Sequence, residues 1–271
     1  MWTHTAWQEL QPNPRERLRS YAGWCNAVEG NTTFYATPAR DTVQSWANQT
    51  APEFRFVVKL PKTITHERRM TGAEADLRAF LHAIEPLGPR AHALWLQLPA
   101  SFGPTDLGVL AGFLRQLPPT YRYTVEVRHR AFFDDDKAAR QLEYVLGRVG
   151  AEWMPFDTTT LFAARPVSPG EREAWAKKPR VARRTRALTE YPIVRYHGRD
   201  DVDATVAGWR PWIDVVTAWL REGRSPTVFL HTPDNAGSLV LARQFHDAVR
   251  AGLPELEPLP EPESHEPMTL F

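Results

Sequence analysis

The sequence predicts one α/β domain whose parallel strands and helices form a TIM-type (β/α) barrel. Short apolar runs alternate along the chain with segments in which apolar residues recur at helical spacing. The near-continuous apolar character of the short runs is typical of strands that are buried on both faces of a parallel sheet. Seven such runs within 271 residues favour a closed barrel over an open sheet.

The predicted strands are short. The first is weak and ends near Val28 and Glu29. The others, in chain order, are residues 54–59, 93–97, 123–127, 152–156, 193–196 and 227–230. Because parallel neighbours need a crossover connection, we expect helices between them, in right-handed βαβ units.

Five segments between the strands carry apolar stripes that predict helices. The segment from Thr71 to Glu74 fits a capping box at the start of the first helix. We interpret all five stripes as faces that pack on the core. Their apolar positions are Leu77, Phe80, Leu81 and Ile84; Leu107, Leu110, Phe113, Leu114 and Leu117; Leu142, Val145, Leu146 and Val149; Trp212, Val216, Trp219 and Leu220; and Leu241, Phe245 and Val249.

Two segments depart from this alternation. Residues 163–191 form a long excursion whose basic residues indicate either a solvated loop or a contact with a polyanion such as nucleic acid. These residues are Lys177, Lys178, Arg180, Arg183, Arg184 and Arg186. Residues 253–271 are rich in Pro and Glu, which predicts a flexible tail after a barrel domain of residues 1–252.

Composition narrows the class of protein. Apolar residues make up 42% of the chain, and no run approaches the roughly 18 residues of a membrane helix. The first residues lack the basic and apolar regions of a signal peptide, so we expect a cytoplasmic protein. Cys25 is the single cysteine, which excludes an internal disulfide and a thiolate metal cluster. The net charge of +1 predicts no partner.

Polar side chains end every predicted strand, and in a barrel these residues face the active mouth. We expect the catalytic residues to be Glu29, Lys59, His66, Glu126 and His197. Substrate-binding candidates are Asn31, Gln97, Arg128, Asp157, Arg195, His231 and Asn235. Structural roles stay open for several of them. Asn31 and Gln97 could bond neighbouring backbone, Asp157 could cap a turn, and Glu126 could form an ion pair with Arg128, two residues along the same face.

Several sequence blocks together resemble the YecE-like family, a family of TIM-barrel proteins of unknown function. The resemblance covers roughly residues 2–250 and rests most on Glu-Gly-Asn-Thr-Thr-Phe-Tyr at 29–35 and Ile-Thr-His at 64–66. It implies a barrel mouth that includes Tyr35 as a further substrate-binding residue. It implies no established reaction. The other blocks, in order, are residues 56–59, 96–99, 125–129 and 194–198.

The chain departs from the family at its start. Members of the family usually open with a short Gly-containing strand before a Trp-rich segment that resembles Trp2–Trp7. Here the chain begins at that segment. We therefore expect the first barrel strand to be absent or truncated, or the native start to lie upstream of Met1.

Three functions fit these residues. The first is an enzyme, such as a phosphodiesterase-like hydrolase, that acts on an anionic, phosphate-bearing substrate or nucleic acid. Lys59, Arg128 and Arg195 would supply positive charge, Glu29 and Glu126 would serve as general base and acid, and His66 or His197 would move a proton. A second is a barrel hydrolase or isomerase that uses a divalent metal, although the sequence contains no compact ligand motif. A third is a non-catalytic binding module.

The binding-module hypothesis rests on the C-terminus. The last five residues, Pro267 to Phe271, resemble the bacterial sliding-clamp-binding pentapeptide, except that Pro267 replaces the usual leading Gln. Met268, Leu270 and Phe271 are apolar residues at the end of a Pro- and Glu-rich linker, as docking into a partner's groove requires. The alternative is that these residues fold back onto the barrel.

Overall fold

The computed structural model describes residue 13 and residues 16–260, which contain eight strands and nine α-helices. The strands are β1 (Ala27–Gly30), β2 (Arg55–Lys59), β3 (Ala91–Gln97), β4 (Tyr123–Glu126), β5 (Glu152–Trp153), β6 (Phe156–Asp157), β7 (Ile193–His197) and β8 (Thr227–His231). The helices are α1 (Arg17–Ala22), α2 (Arg40–Asn48), α3 (Glu74–Ile84), α4 (Leu107–Leu114), α5 (Ala131–Asp134), α6 (Asp136–Gly147), α7 (Pro169–Lys177), α8 (Val202–Arg221) and α9 (Ser238–Ala251).

All strand pairs are parallel, and they form two sheets. One sheet has the order β1-β2-β3-β4-β5 and the other the order β6-β7-β8. The register aligns strand ends, since Gln97 pairs with Glu126 in the first sheet and His197 pairs with His231 in the second. Parallel α/β architecture is therefore confirmed, and the registers bring the carboxyl ends of neighbouring strands to the same end of each sheet.

The strand predicted at residues 152–156 is wrong as a single element. It is two short strands, β5 and β6, separated by Met154 and Pro155. Pro155 has no N–H to donate to a ladder, but its carbonyl accepts from Arg195 N at 2.9 Å. Met154 N donates to Val125 O, also at 2.9 Å. The segment thus bonds to both sheets and joins them.

Both faces of the sheets are buried, as the apolar runs predict. Val57 and Trp95 belong to an apolar cluster that also contains Met154, Ile193 and Phe229, so strands of both sheets contribute to it. Their neighbours Phe56, Val58, Leu94 and Leu96 lie in a second cluster with the residues of helices α3, α4 and α6. Because successive residues of a strand point to opposite faces, the alternation places one apolar layer between the sheets and another under the helices.

The five predicted helices are present, but the first does not begin with a capping box. Helix α3 has Ala73 as its N-cap, and no side chain caps it. Gly72 has a φ of 60°, so the chain makes a left-handed turn between Thr71 and the helix. The sequence interpretation also missed α1, α2, α5 and α7.

Residues 253–260 of the predicted tail pack on the helices. Leu253 and Leu259 are buried, and Leu256 packs on the cluster formed by α8 and α9. Arg243 of α9 donates to the carbonyl of Pro260 at 2.6 Å. The three leucines recur every third residue, and the segment begins with a turn in which Leu256 N donates to Leu253 O at 3.0 Å.

Strands β1 and β8 are neighbours at the outer edges of the two sheets. Arg55, the first residue of β2, pairs with Ala27 at the start of β1, and its Nη1 donates to Thr227 Oγ1 of β8 at 2.9 Å. Within residues 16–260 the two strands form no ladder, and a cavity of about 950 Å³ lies along them. The predicted absence of a first strand concerns residues 1–12, which lie outside the described residues. In the described residues no helix is long and apolar enough to cross a bilayer.

Candidate functional site

Polar side chains from both sheets meet where the strands end, and we call this group the mouth. It comprises Glu29, Lys59, Gln97, Glu126, Arg128, Arg195, His197 and His231. All eight were candidates from the sequence, and most are buried. Gly198 follows directly after His197, and any side chain there would collide with Thr205 of α8, so this position holds β7 close to the helix.

Arg195 lies at the centre of the mouth and joins the two sheets. Its Nε donates to Glu29 Oε1 at 2.6 Å, and its Nη1 donates to Glu126 Oε2 at 2.9 Å. Its guanidinium also stacks over the Trp95 ring, with Cζ 4.5 Å from the centroid. Charges this deeply buried are stable only when paired, so the three groups must be kept together.

Both carboxylates of this network are ionised. Burial alone would raise the pKa of Glu29, but Arg195 and His231 outweigh it and hold that pKa well below its usual range. Burial also acts to raise the pKa of Glu126, and Arg128 and Arg195 outweigh it, so that pKa is lowered as well. Neither carboxyl group therefore has a proton to donate near neutral pH.

Lys59 ends β2, and no carboxylate in the described part of the chain pairs with it. Its Nζ donates to Gln97 Oε1 at 2.5 Å and lies 4.0 Å from the Phe34 ring centroid and 4.5 Å from that of Trp95. Burial, partly offset by Glu126 and reinforced by the neighbouring Arg195 and Arg128, lowers the pKa of Lys59 to about 7. Near neutral pH the amine is therefore present in both protonation states.

Arg128 shares the Gln97 acceptor with Lys59. Its Nη2 donates to Gln97 Oε1 at 3.0 Å, and its Nε donates to Glu126 Oε1 at 2.7 Å. The ion pair with Glu126 is the structural alternative that the sequence left open. The Arg128 side chain is 20% exposed, whereas that of Glu126 is fully buried.

His66 lies just after β2, on a π-helical turn of residues Thr63–Glu67. Its Nδ1 lies 2.9 Å from Thr65 Oγ1, and its ring packs edge-on against Phe34 at 5.0 Å, so Phe34 contacts both His66 and Lys59. Burial, reinforced by Lys59 and Arg128, lowers the pKa of His66 to about 4. The imidazole is therefore neutral at pH 7.

His197 and His231 stack on one another at 4.6 Å with nearly parallel rings. His231 Nε2 lies 3.1 Å from Glu29 Oε1, and its Nδ1 lies 3.2 Å from Asn235 Oδ1. Within the described residues, His197 Nε2 is buried without a hydrogen-bond partner. Burial, and next Lys178, hold the pKa of His197 well below its usual range, so this ring is neutral.

Comparison with known proteins identifies the family. A family model described as "Protein of unknown function DUF72" matches residues 1–265. The chain belongs to the DUF72 family. It is similar to the UPF0759 protein YecE of Escherichia coli strains K12 and O157:H7, with 36% identity over 259 residues. These alignments cover 96% of this chain and 94% of each relative, which confirms the resemblance seen in the sequence.

Solved structures of a DUF72 protein share the fold. Two crystal structures of a DUF72 family protein from Enterococcus faecalis V583 match with TM-scores of 0.64 and 0.66 at 18% and 19% identity. The first match covers 88% of this chain and 94% of that chain, and the second covers 96% of each. At such identity the likeness shows the fold alone.

One cationic residue of this DUF72 chain was not predicted as a mouth residue. Lys178 follows the last residue of α7, and its Nζ lies 5.6 Å from the centroid of the Phe156 ring, which Arg128, Arg195 and His197 also contact. Burial, with Arg195 and Arg128 next, lowers the pKa of Lys178 to about 8. Lys178 forms no ion pair with any described residue. The sequence spacing could have distinguished Lys178 from the neighbouring Lys177. Glu173 lies four residues before Lys177 and pairs with it on the outer face of α7, at 2.5 Å.

Helix α7 holds Lys178 in place because the helix is anchored over the carboxyl ends of the strands. The buried carboxylate of Glu171 accepts from Arg199 Nε at 3.1 Å and from Arg199 Nη2 at 3.0 Å. Gly170 packs against Pro233, in the loop after β8, where a Cβ would come within 3.2 Å. Beyond the helix, Thr158 Oγ1 donates to Pro179 O at 2.9 Å.

The remaining basic residues of the excursion mostly form structural ion pairs. Arg183 pairs with Asp157, and Arg184 and Arg186 both bond Glu143 of α6, at 2.6 and 2.9 Å. The solvated loop predicted for this run fits the exposed Arg180 and Arg186, whereas Arg183 and Arg184 are partly buried in ion pairs. The physical reason is that acidic partners distant in sequence lie opposite them.

Asp157 departs from the predicted site. It is 1% exposed, and its carboxylate accepts from Trp212 Nε1 at 2.6 Å, Arg183 Nε at 2.7 Å, and both N and Oγ1 of Thr159. The bond to Thr159 N is the turn cap left open as an alternative. With four donors satisfied, Asp157 holds α8 and the excursion to β6, and we do not retain it as a substrate ligand.

The three remaining candidates lie at the rim. Asn31 Nδ2 donates to Glu29 Oε2 at 2.9 Å, and Tyr35 is 73% exposed. Asn235 has a left-handed φ of 58°, a conformation that Asn tolerates, and contacts His231. The predicted partner-binding residues Met268, Leu270 and Phe271 lie outside the described residues. Across the part of the chain that the structure describes, no cluster of three or more His, Cys, Asp or Glu residues is arranged to hold a metal ion.

Proposed function

We propose that this chain is an enzyme that binds a small anionic, phosphate-bearing substrate in the mouth. One observation carries the proposal: the mouth contains more cationic side chains than carboxylates. The carboxylates of Glu29 and Glu126 are already paired with arginines. The four cationic side chains are Lys59, Arg128, Lys178 and Arg195. Lys59 and Lys178 are left without counter-charges among the described residues. A bound anion would supply the missing negative charge in a site where water screens little.

The lowered pKa values of the two lysines support the same proposal. Buried cations are costly without a partner, and these two respond by releasing protons more readily than ordinary lysines. An anion between them would restore the charged forms. Anion binding is therefore expected to be accompanied by proton uptake near pH 8.

The geometry divides the mouth into holding and reacting groups. Glu29 and Glu126 hold Arg195 in place, because both are ionised and bonded to it. This argues against the general-acid role expected from the sequence. We assign the anion to Lys59, Arg128 and Lys178, and proton transfer to the neutral imidazole of His66, which lies beside Lys59.

We also propose that the two sheets close into one TIM-type barrel. The shared segment at Met154 and Pro155, the common apolar cluster, and the bonds from Arg195 on β7 to β1 and β4 all support closure. In such a barrel the mouth is the end where active sites are built.

Nuclear magnetic resonance titration tests the anion proposal. Sulfate or phosphate at millimolar concentration should shift the signals of mouth residues, and Lys59→Ala should weaken binding. Lys62→Ala is the matched control, because Lys62 also follows β2 but is exposed and paired with Glu67 at 3.0 Å. Unchanged mouth signals in the wild-type protein would refute the proposal.

A second proposal concerns the C-terminal peptide, which we propose docks on the bacterial sliding clamp. The described chain is held to α9 up to Pro260, seven residues before Pro267. A linker of that length spans at most about 25 Å. This supports a short tether rather than a long flexible arm, and it is compatible with catalysis in the mouth.

A further inference from the structure

Lys59 has the surroundings of a reactive amine rather than those of a structural cation. We infer that Lys59 is a nucleophile that forms an imine with the carbonyl carbon of a phosphorylated aldehyde or ketone. The inference rests on the proposed anionic substrate and names its class. Buried structural lysines are normally paired with a carboxylate, whereas among residues 16–260 the hydrogen-bond partner of Lys59 Nζ is the neutral Gln97 amide.

The environment of Nζ keeps the amine neutral for part of the time. Phe34 and Trp95 cover it at 4.0 and 4.5 Å, so water is largely excluded, and the side chain is 7% exposed. Arg195 and Arg128 stand nearby and disfavour a further positive charge. Desolvation beside another cation is a known way to activate a lysine nucleophile. The lowered pKa of about 7 agrees with this geometry.

Lys59 is more deeply buried than Arg128 and Lys178, and this difference supports a different role for it. Arg128 and Lys178 are only partly buried, whereas Lys59 lies deeper, at the end of β2. A substrate that places its phosphate between Arg128 and Lys178 would extend a neighbouring carbon toward Nζ. The reacting carbon must be electrophilic, and in a phosphorylated aldehyde or ketone it is the carbonyl carbon.

The step balances without an oxidant or a further reactant. The Nζ lone pair forms the C–N bond, and the carbonyl oxygen takes up a proton as Nζ loses one. The hydroxyl group of the resulting carbinolamine takes up a proton from solvent and leaves as water, while the nitrogen lone pair forms the C=N bond of a protonated imine. His66 is placed to move these protons, because its neutral ring lies across Phe34 from Lys59.

Reductive trapping on the wild-type protein tests the inference. The protein is incubated with dihydroxyacetone phosphate at pH 8, sodium borohydride is added, and labelled lysines are quantified by peptide mass spectrometry. Lys59 should be labelled about tenfold or more faster than Lys62 and Lys177, because even with an anion bound a much larger share of its amine is neutral at this pH than in ordinary lysines. Uncharged dihydroxyacetone should label Lys59 much less, and sulfate should protect it.

Two outcomes separate the inference from the proposed function. If sulfate shifts the mouth signals but Lys59 is labelled no faster than Lys62 and Lys177, the imine is refuted and the amine is only an anion ligand. If sulfate neither binds nor protects, both proposals fail. Lys62→Ala provides the matched variant, since Lys62 also follows β2 but pairs with Glu67. It should leave both sulfate binding and the labelling rate of Lys59 unchanged.

Discussion

Removing the ammonium group of Lys178 is the most selective test of whether unbalanced positive charge in the mouth binds the anion. Lys178→Met keeps an unbranched side chain of similar length against Phe156 and removes only the charge. A unit charge pair at 4 Å contributes roughly 4 kcal/mol at an effective dielectric constant of about 20. Because Lys178 keeps some exposure and water competes for the anion, we expect a loss of about 1.5–3 kcal/mol, the usual range for hydrogen bonds to charged groups. That loss corresponds to a dissociation constant for sulfate that is roughly 10- to 150-fold higher.

The matched control is Lys177→Met. Lys177 is the neighbouring lysine, but it is exposed and already paired with Glu173, so sulfate affinity should change by less than about twofold. Sulfate binding to both variants is measured by isothermal titration calorimetry at pH 7 and constant ionic strength. Sulfate is chosen because its own charge does not titrate in this range. Equal affinities for the two variants would refute the assignment of Lys178 to the mouth.

Three further predictions follow from the same geometry. Sulfate affinity should fall by about tenfold or more between pH 6 and pH 9, because Lys59 and Lys178, with pKa values near 7 and 8, are protonated at the lower pH and neutral at the higher; a flat calorimetric profile would contradict this. Arg195→Met should lower the free energy of unfolding in urea by about 3–5 kcal/mol, because it leaves Glu29 and Glu126 buried without their shared partner, whereas a loss below about 1 kcal/mol would show that the network is unimportant. A labelled peptide of residues 260–271 should bind purified sliding clamp, and its Pro267→Gln version should bind more tightly; binding of the Pro267→Gln peptide alone would remove the clamp as a partner.

The ends of the strands could be predicted because the pattern of apolar and polar residues is a local property of the sequence. The apolar runs locate the buried strands, and the first polar residue after each run marks its end, as at Glu29, Lys59 and Gln97. Parallel register then brings these residues to one end, so the mouth follows from the fold class. The pairing of Arg195 with Glu29 and Glu126 required the three-dimensional arrangement, because those residues are 166 and 69 positions away in the chain.

The excursion was harder to interpret because its charges are balanced by distant residues. Nothing near Arg184 indicates that Glu143, 41 residues earlier, lies opposite it. The sequence distinguishes Lys178 from Lys177 only through Glu173, which is spaced to pair with Lys177 and not with Lys178. Asp157 was predicted as a ligand because it ends a strand, and its four donors are visible only in the folded chain.

The titration of Lys59 itself tests the central claim, that the mouth holds unpaired positive charge for an anion. Lysine labelled with ¹³C at the ε position reports its protonation directly by nuclear magnetic resonance, with and without saturating sulfate. We predict that Lys59 titrates near pH 7 in the free protein and that sulfate moves its pKa upward by about one unit or more. Titration near the ordinary lysine value of about 10.4 in the free protein, or no change with sulfate, would contradict the claim.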